Sequence, residues 1–191
     1  NPVYFLVLCI RYAATRRSDH FEGKMAKLKT LVLGGINSGK SAFAETLIKK
    51  QPATPYYVAT SVVLDPETQE KIDAHQNMRG PNWNTIEEPV ELAKVLAKLP
   101  AGSFVLVDCL TMWLNNLMFH DLNVDDHTQQ LLETLSQSDL NITLVSNEVG
   151  LGGISENGLT RKFARLQGTL NQKIAEQSDR VVFVAAAFSG N

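Results

Sequence analysis

Residues 34 to 41 read Gly-Gly-Ile-Asn-Ser-Gly-Lys-Ser, set between the apolar run "TLVL" and the helix-period segment "SAFAETLIKK". They fit G-x-x-x-x-G-K-[S/T] with Gly34, Gly39, Lys40 and Ser41 at the fixed positions, and a strand before and a helix after are the context the pattern requires. Glycine lets the backbone turn its N–H groups inward onto phosphate oxygens, and the following helix N-terminus adds a favourable dipole. Gly34, Gly35, Ile36, Asn37, Ser38 and Gly39 are thus expected to wrap a nucleotide's phosphates. Lys40 is expected to reach the terminal phosphates, and Ser41 to hold Mg2+. A glycine-rich turn could match by chance, but strand, spacing and helix all agree here.

The rest of the chain alternates in the same way. Short, nearly continuous apolar runs at Thr30–Leu33, Tyr56–Thr60, Phe104–Asp108, Ile142–Ser146 and Val181–Ala185 read as strands buried on both faces. Helix-period segments fall between them at Ser41–Lys50, from Asp65 to Gly80, at Pro89–Leu99, Thr111–Phe119, Asp126–Gln137 and Leu159–Gln177. Strands alternating with helices predict right-handed crossovers and a mainly parallel sheet. The expected architecture is a three-layer α/β fold of the phosphate-loop type, in one domain.

That domain is expected to span residues 25–191. Residues 1–24 differ from the rest, with eight apolar residues, Val3 to Ile10, followed by a polar, basic stretch. Eight residues are too few to span a bilayer, which takes ~20. A signal peptide carries its positive charge before the apolar run, whereas these arginines follow it. Translation is expected to start naturally at Met25, leaving 1–24 as a non-native or disordered extension. A short membrane-touching helix is the weaker alternative. With 18 basic against 20 acidic residues and no long basic run, nucleic acid is disfavoured as the main partner. Two cysteines, Cys9 and Cys109, make no disulfide framework, and a cytoplasmic protein without stable membrane insertion is expected.

Three further features carry chemistry. In "FVLVDCL" Asp108 ends a buried strand, where a carboxylate can organise the metal of a phosphate loop; it could equally cap the helix starting at Thr111. In "DPETQEKIDAHQNMRG" Lys71, His75 and Arg79 recur every four residues and share a helix face, suited to handling phosphate. By spacing alone a solvated surface histidine is the ordinary explanation. Gly150, Gly152 and Gly153 follow a strand, where α/β folds place ligand-contacting loops, and Arg161, Lys162 and Arg165 come next. They could meet an anionic substrate or form the basic solvent face of an amphipathic helix. His20, His120 and His127 make no metal-ligand pattern with the cysteines.

Taken in order, "GGINSGKS", "YYVATS", "KIDAHQNMRGPNWNTIEEP", "VLVDCLTMWLNNL", "SNEVGLG" and "GTLNQKIAEQSDRV" resemble the bifunctional adenosylcobinamide kinase/adenosylcobinamide-phosphate guanylyltransferase family. The glycine loop is common to many families, whereas the histidine helix leading into "W-x-T-x-E", "DCLT-x-W" and "NEVG-x-G" are far more specific. The resemblance implies a transferase of cobalamin biosynthesis. A nucleoside triphosphate, ATP or GTP, phosphorylates adenosylcobinamide. GTP then gives GMP to an enzyme histidine, which passes it to the corrinoid phosphate. The guanylylated histidine falls on His75, so the catalytic pair would be His75 and Lys40. A neutral imidazole is a competent nucleophile at phosphorus, and Lys71 or Arg79 would depress its pKa and balance charge on the α-phosphate.

The same resemblance implies nucleotide contacts at Thr60, Ser61, Arg79, Glu87 and Asp108, with the last also a metal ligand beside Ser41. Trp83 could pack on a ligand ring, though filling core is its simpler role. It further implies a homo-oligomer, a trimer, and a corrinoid substrate. The chain departs from the family pattern at Asn37, where relatives carry arginine, and at Ile154-Ser155 and Arg165. Its end, "VVFVAAAFSGN", lacks the usual Gly-Pro turn. A monofunctional small-metabolite kinase, or a GTP-binding regulatory switch, would use the loop without His75.

Overall fold

The computed structural model describes residues 3–10, 27–49, 53–62 and 82–189. Seven strands form one sheet: β1 (Val3–Ile10), β2 (Lys29–Gly34), β3 (Tyr56–Ala59), β4 (Asn84–Glu87), β5 (Phe104–Asp108), β6 (Asn141–Asn147) and β7 (Arg180–Ser189). Their spatial order is β1-β7-β2-β6-β5-β3-β4. From β7 through β4 every neighbouring pair is parallel, and only β1 runs antiparallel, along β7.

The described helices are α1 (Lys40–Ile48), α2 (Leu92–Lys98), α3 (Leu110–Phe119), α4 (Val124–Gln137) and α5 (Gly158–Glu176). Strand alternation sorts the core into two layers. Leu31, Val105, Val107, Ile142 and Leu144 face α2 to α5, packing on Leu96, Trp113, Leu117, Leu131 and Ile174. Val32, Leu106, Val145, Val182 and Val184 face the other way, onto Ala44 and Ile48 of α1. A fully buried Leu, Val or Ile contributes roughly 1.5–3 kcal/mol by leaving water. The two layers therefore lock each central strand from both sides.

Caps set where the long helices begin. Asn123 accepts from the N–H groups of Asp125 and Asp126, and Asn157 from those of Leu159 and Thr160, so each satisfies donors that a helix start leaves orphaned. Trp113 fixes α3 to the start of α2 by donating from Nε1 to the Val90 carbonyl at 2.7 Å.

The five strands predicted from the sequence are present, each within a few residues at either end. β4 was not anticipated, because Asn-Thr-Ile-Glu has one apolar side chain and lies at the sheet's edge. Val3–Ile10 joins the sheet beyond β7. It is an edge strand with Val3 opposite Ser189 and Ile10 opposite Val181, and it forms no membrane-touching helix. The helix expected from Asp65 to Gly80 lies outside the described residues.

Candidate functional site

A parallel sheet aligns all its C-terminal strand ends on one side, where the helix-leading loops gather. β2 ends at Gly34, β5 at Asp108, β6 at Asn147 and β3 at Ala59, so their loops share that edge.

Gly34 is packed where only glycine fits. A Cβ there would come within 2.5 Å of both the Ser38 Oγ and the Val184 carbonyl oxygen. The loop then turns through Asn37 at φ 58° and Gly39 at φ 86°, both left-handed, and Gly39 is the residue from which α1 starts. Ile36 stands 80% exposed at the tip, while Ser38 is buried with its Oγ unpartnered. Lys40 opens α1 and folds back over the loop, donating from Nζ to the Gly35 carbonyl at 3.1 Å. Burial lowers its pKa from the ordinary lysine value, opposed by Cys109 and Asp108. A partly desolvated ammonium at the N-terminus of a helix suits an anion. Ser41 follows, half-buried on α1.

Asp108 lies on the α1 side of β5, two residues beyond Leu106, and accepts a 3.0 Å hydrogen bond at Oδ2 from the Tyr57 phenol. It is only half-buried, so its remaining oxygen valences are open to a ligand. Among the described residues no group of three or more His, Cys, Asp or Glu could hold a metal. A hard cation here would be held as Mg2+ usually is, by one or two protein oxygens with nucleotide phosphates and water completing the shell. Ser41 and Asp108 suit that donor set. Cys109, next in line, is fully buried, and burial with the Asp108 charge pushes its thiol up to about 11, which leaves it an inert core residue at neutral pH.

Thr60 stands where β3 ends, beside the start of α3. It is fully buried, with its hydroxyl donating to the Cys109 carbonyl at 2.7 Å and accepting from the Cys109 N–H at 2.8 Å. The Asn116 amide on α3 also donates to the Thr60 carbonyl at 2.7 Å. Thr60 therefore clamps the end of β3 to the end of β5. Ser61, one residue on, is half-buried, and Glu87 is exposed at the end of β4, opposite Ala59. His75, Arg79 and Lys71 lie outside the described residues. Trp83 meets Tyr57 edge to face with ring centroids 5.9 Å apart, and so packs beside the residue that holds Asp108.

The second glycine segment is organised by Glu148, whose Oε1 accepts from the Gly150 N–H at 2.6 Å while Oε2 accepts from that of Leu151 at 3.1 Å. Its own N–H donates to the Gly34 carbonyl, tying this loop to the phosphate loop. Arg161 turns back onto the Ser155 and Glu156 carbonyls, and Lys162 and Arg165 stand exposed on α5. Tyr57, Asn147 and Glu148 escaped the sequence reading. Period-two alternation, which puts Tyr57 on the same face as the end of β5, was the available signal for the first.

A family model described as cobinamide kinase / cobinamide phosphate guanyltransferase matches residues 30–190. The chain belongs to that family. The bifunctional adenosylcobalamin biosynthesis protein CobP of Pseudomonas aeruginosa is 41% identical over 162 residues, covering 83% of this chain and 94% of that protein. The bifunctional adenosylcobalamin biosynthesis proteins CobU of Salmonella typhimurium and Escherichia coli are 34% and 32% identical, each over 172 residues covering 82% of this chain and 94% of their own. Membership in the cobinamide kinase / cobinamide phosphate guanyltransferase family makes this chain a transferase with a kinase and a guanylyltransferase activity. No described helix is long and apolar enough to cross a membrane.

Proposed function

We propose that this chain catalyses two consecutive steps of cobalamin biosynthesis at the edge formed by β2, β5 and β6. The observation that carries the reading is a phosphate loop, closed by Lys40 and faced by Asp108, within a chain matched to its family over residues 30–190. In the first step the hydroxyl of adenosylcobinamide attacks the γ-phosphorus of ATP or GTP, the bond to the β-phosphate oxygen breaks, and the nucleoside diphosphate leaves. The inward N–H groups and Lys40 carry the charge that develops on the transferring group. Mg2+ held by Ser41 and Asp108 supplies further charge neutralisation when bound.

In the second step a ring nitrogen of His75 attacks the α-phosphorus of GTP and pyrophosphate departs, leaving GMP on the histidine. The corrinoid phosphate then displaces the imidazole and forms adenosylcobinamide-GDP. Splitting the transfer in this way replaces one difficult displacement by two easier ones, the first made by the neutral imidazole and the second by the corrinoid phosphate. Thr60, Ser61, Arg79 and Glu87 are the remaining candidate nucleotide contacts. The enzyme acts in the cytoplasm as a homo-oligomer, a trimer. The exposed Leu151, Ile154 and Leu159 beside the site support a second copy covering that loop.

The test is to incubate the protein with Mg2+ and GTP labelled at the α-phosphate, without corrinoid, then denature it. Acid-labile, alkali-stable label that is lost in His75→Ala supports the guanylyl-histidine. Absence of label on a folded, GTP-binding protein overturns it and leaves the kinase activity alone.

A further inference from the structure

Near the phosphate loop, beside the unpartnered Ser38 hydroxyl, a second buried polar atom has no partner among the described residues. Asn147 ends β6, and its Oδ1 is enclosed without a hydrogen bond. Buried carboxamide oxygens are rarely left so, because an unmet acceptor forfeits its hydration.

The backbone around it is fixed. The Asn147 N–H donates to Thr111 Oγ1 at 2.8 Å, and its carbonyl accepts from the Asn171 amide at 3.1 Å. Its neighbour Ser146 points to the α5 side, where it bonds Asn171 at 2.7 Å and Gln167 at 2.9 Å. Alternation then puts Asn147 on the opposite face, with Val145, which packs among Val32, Ala44 and Ile48 beneath α1. Two other strand ends reach that face. Asp108 of β5 lies there, with Val145 as its register partner on β6. Gly34, where the phosphate loop begins, is the register partner of Asn147 itself on β2. The Asn147 carboxamide thus stands between the Asp108 carboxylate and the loop that Lys40 closes, with its Oδ1 unpartnered among the described residues.

We propose that Asn147 reads the terminal phosphate of the nucleotide. Its carboxamide carries both a donor and an acceptor. The Nδ2 group donates to a γ-phosphate oxygen. The orphaned Oδ1 accepts from the Lys40 ammonium once that group leaves the Gly35 carbonyl to meet the phosphates. A nucleoside diphosphate provides no oxygen for the first bond, so Asn147 discriminates triphosphate from diphosphate. This rests on the phosphate-loop reading of residues 34–41.

The test compares equilibrium binding of ATP and ADP, each with Mg2+, to the wild-type chain, Asn147→Ala, Asn147→Asp and Lys40→Ala, with thermal melting of each. Asn147→Ala is expected to weaken ATP about tenfold, the scale of one charge-assisted hydrogen bond, while ADP stays within about twofold. Asn147→Asp, nearly identical in shape, sets a carboxylate against the γ-phosphate and is expected to lose more ATP affinity than Ala does. It also serves if the alanine variant melts early. Equal losses of ATP and ADP in both variants, or no loss in either, would overturn the role of Asn147. If instead the wild type binds neither nucleotide, or Lys40→Ala binds both as well as wild type, the phosphate-loop reading itself fails and takes this one with it.

Discussion

Tyr57 and Asp108 sit on adjacent parallel strands and meet on the α1 face, the phenol donating to the carboxylate Oδ2 at 3.0 Å. Tyr57 is in register with Leu106, so its ring reaches two residues along β5 to arrive there. Trp83 braces the ring from its edge. One carboxylate oxygen is thereby occupied and the group's orientation set before any ligand arrives.

Tyr57→Phe keeps the ring packing and removes that bond. The Mg2+ concentration giving half-maximal kinase activity is expected to rise several-fold, with stability falling by about 1 kcal/mol. An unchanged Mg2+ titration would separate Asp108 from the metal.

Gly39 and Gly35 separate folding from binding. A Cβ at Gly39 would lie 2.3 Å from that of Ala187, at a φ of 86°. Gly39→Ala is therefore expected to cost roughly 1–3 kcal/mol in denaturant unfolding. At Gly35 a Cβ meets nothing within 4 Å and φ is not positive. Gly35→Ala should leave unfolding within about 0.5 kcal/mol of wild type. Nucleotide titration of the same variant should still show weaker binding, since the new methyl sits where phosphate approaches the backbone.

Lys40 loses part of its proton affinity to burial, and a phosphate beside it would restore that affinity. Binding of a triphosphate as the pH approaches the ordinary lysine value of 10.5 is then expected to take up a proton. Calorimetry in two buffers of different ionisation enthalpy reads this directly. Lys40→Met should abolish the uptake together with most of the affinity.

Cys109 gives a pH dependence of opposite origin. Its folded pKa of about 11 lies above the unfolded 9.0, so the folded state holds the proton that the unfolded state releases. Stability from this thiol is fully present below pH 9. It then falls by up to about 1.4 kcal/mol per pH unit until near pH 11. Lys40, with its pKa lowered, acts in the reverse sense over part of that range, so the comparison must be made against Cys109→Ala. Denaturant unfolding of wild type should lose stability relative to that variant across pH 9 to 11, and parallel curves would refute the assignment.

The sequence disclosed what repeats or what is chemically singular. Five strands were legible because burial on both faces leaves them almost wholly apolar, as at Phe104–Asp108. The phosphate loop was legible because Gly34 and Gly39 occupy places where a side chain collides. β4 was not, since an exposed edge strand needs no apolar signature. Thr60 shows the limit most clearly. Its position at a strand end fits a ligand contact, and only the three-dimensional closeness of Cys109 reveals that its hydroxyl is already engaged. Asn147 is the converse, a strand-end polar residue whose interest lies in a missing partner, which no linear pattern records.

The parallel register has a consequence for how such a chain can vary over time. Asp108, Asn147 and Gly34 share a face only because each lies an even number of positions from the core residues Leu106, Val145 and Val32 of its own strand. Substitution inside β2, β5 or β6 leaves that count untouched, but a single-residue insertion or deletion inverts it and turns the terminal group to the wrong side of the sheet. Lineages carrying this site are thus free to drift in composition along these strands while their lengths stay frozen. Length changes are expected in the loops, such as 148–157, that lie beyond the strand ends.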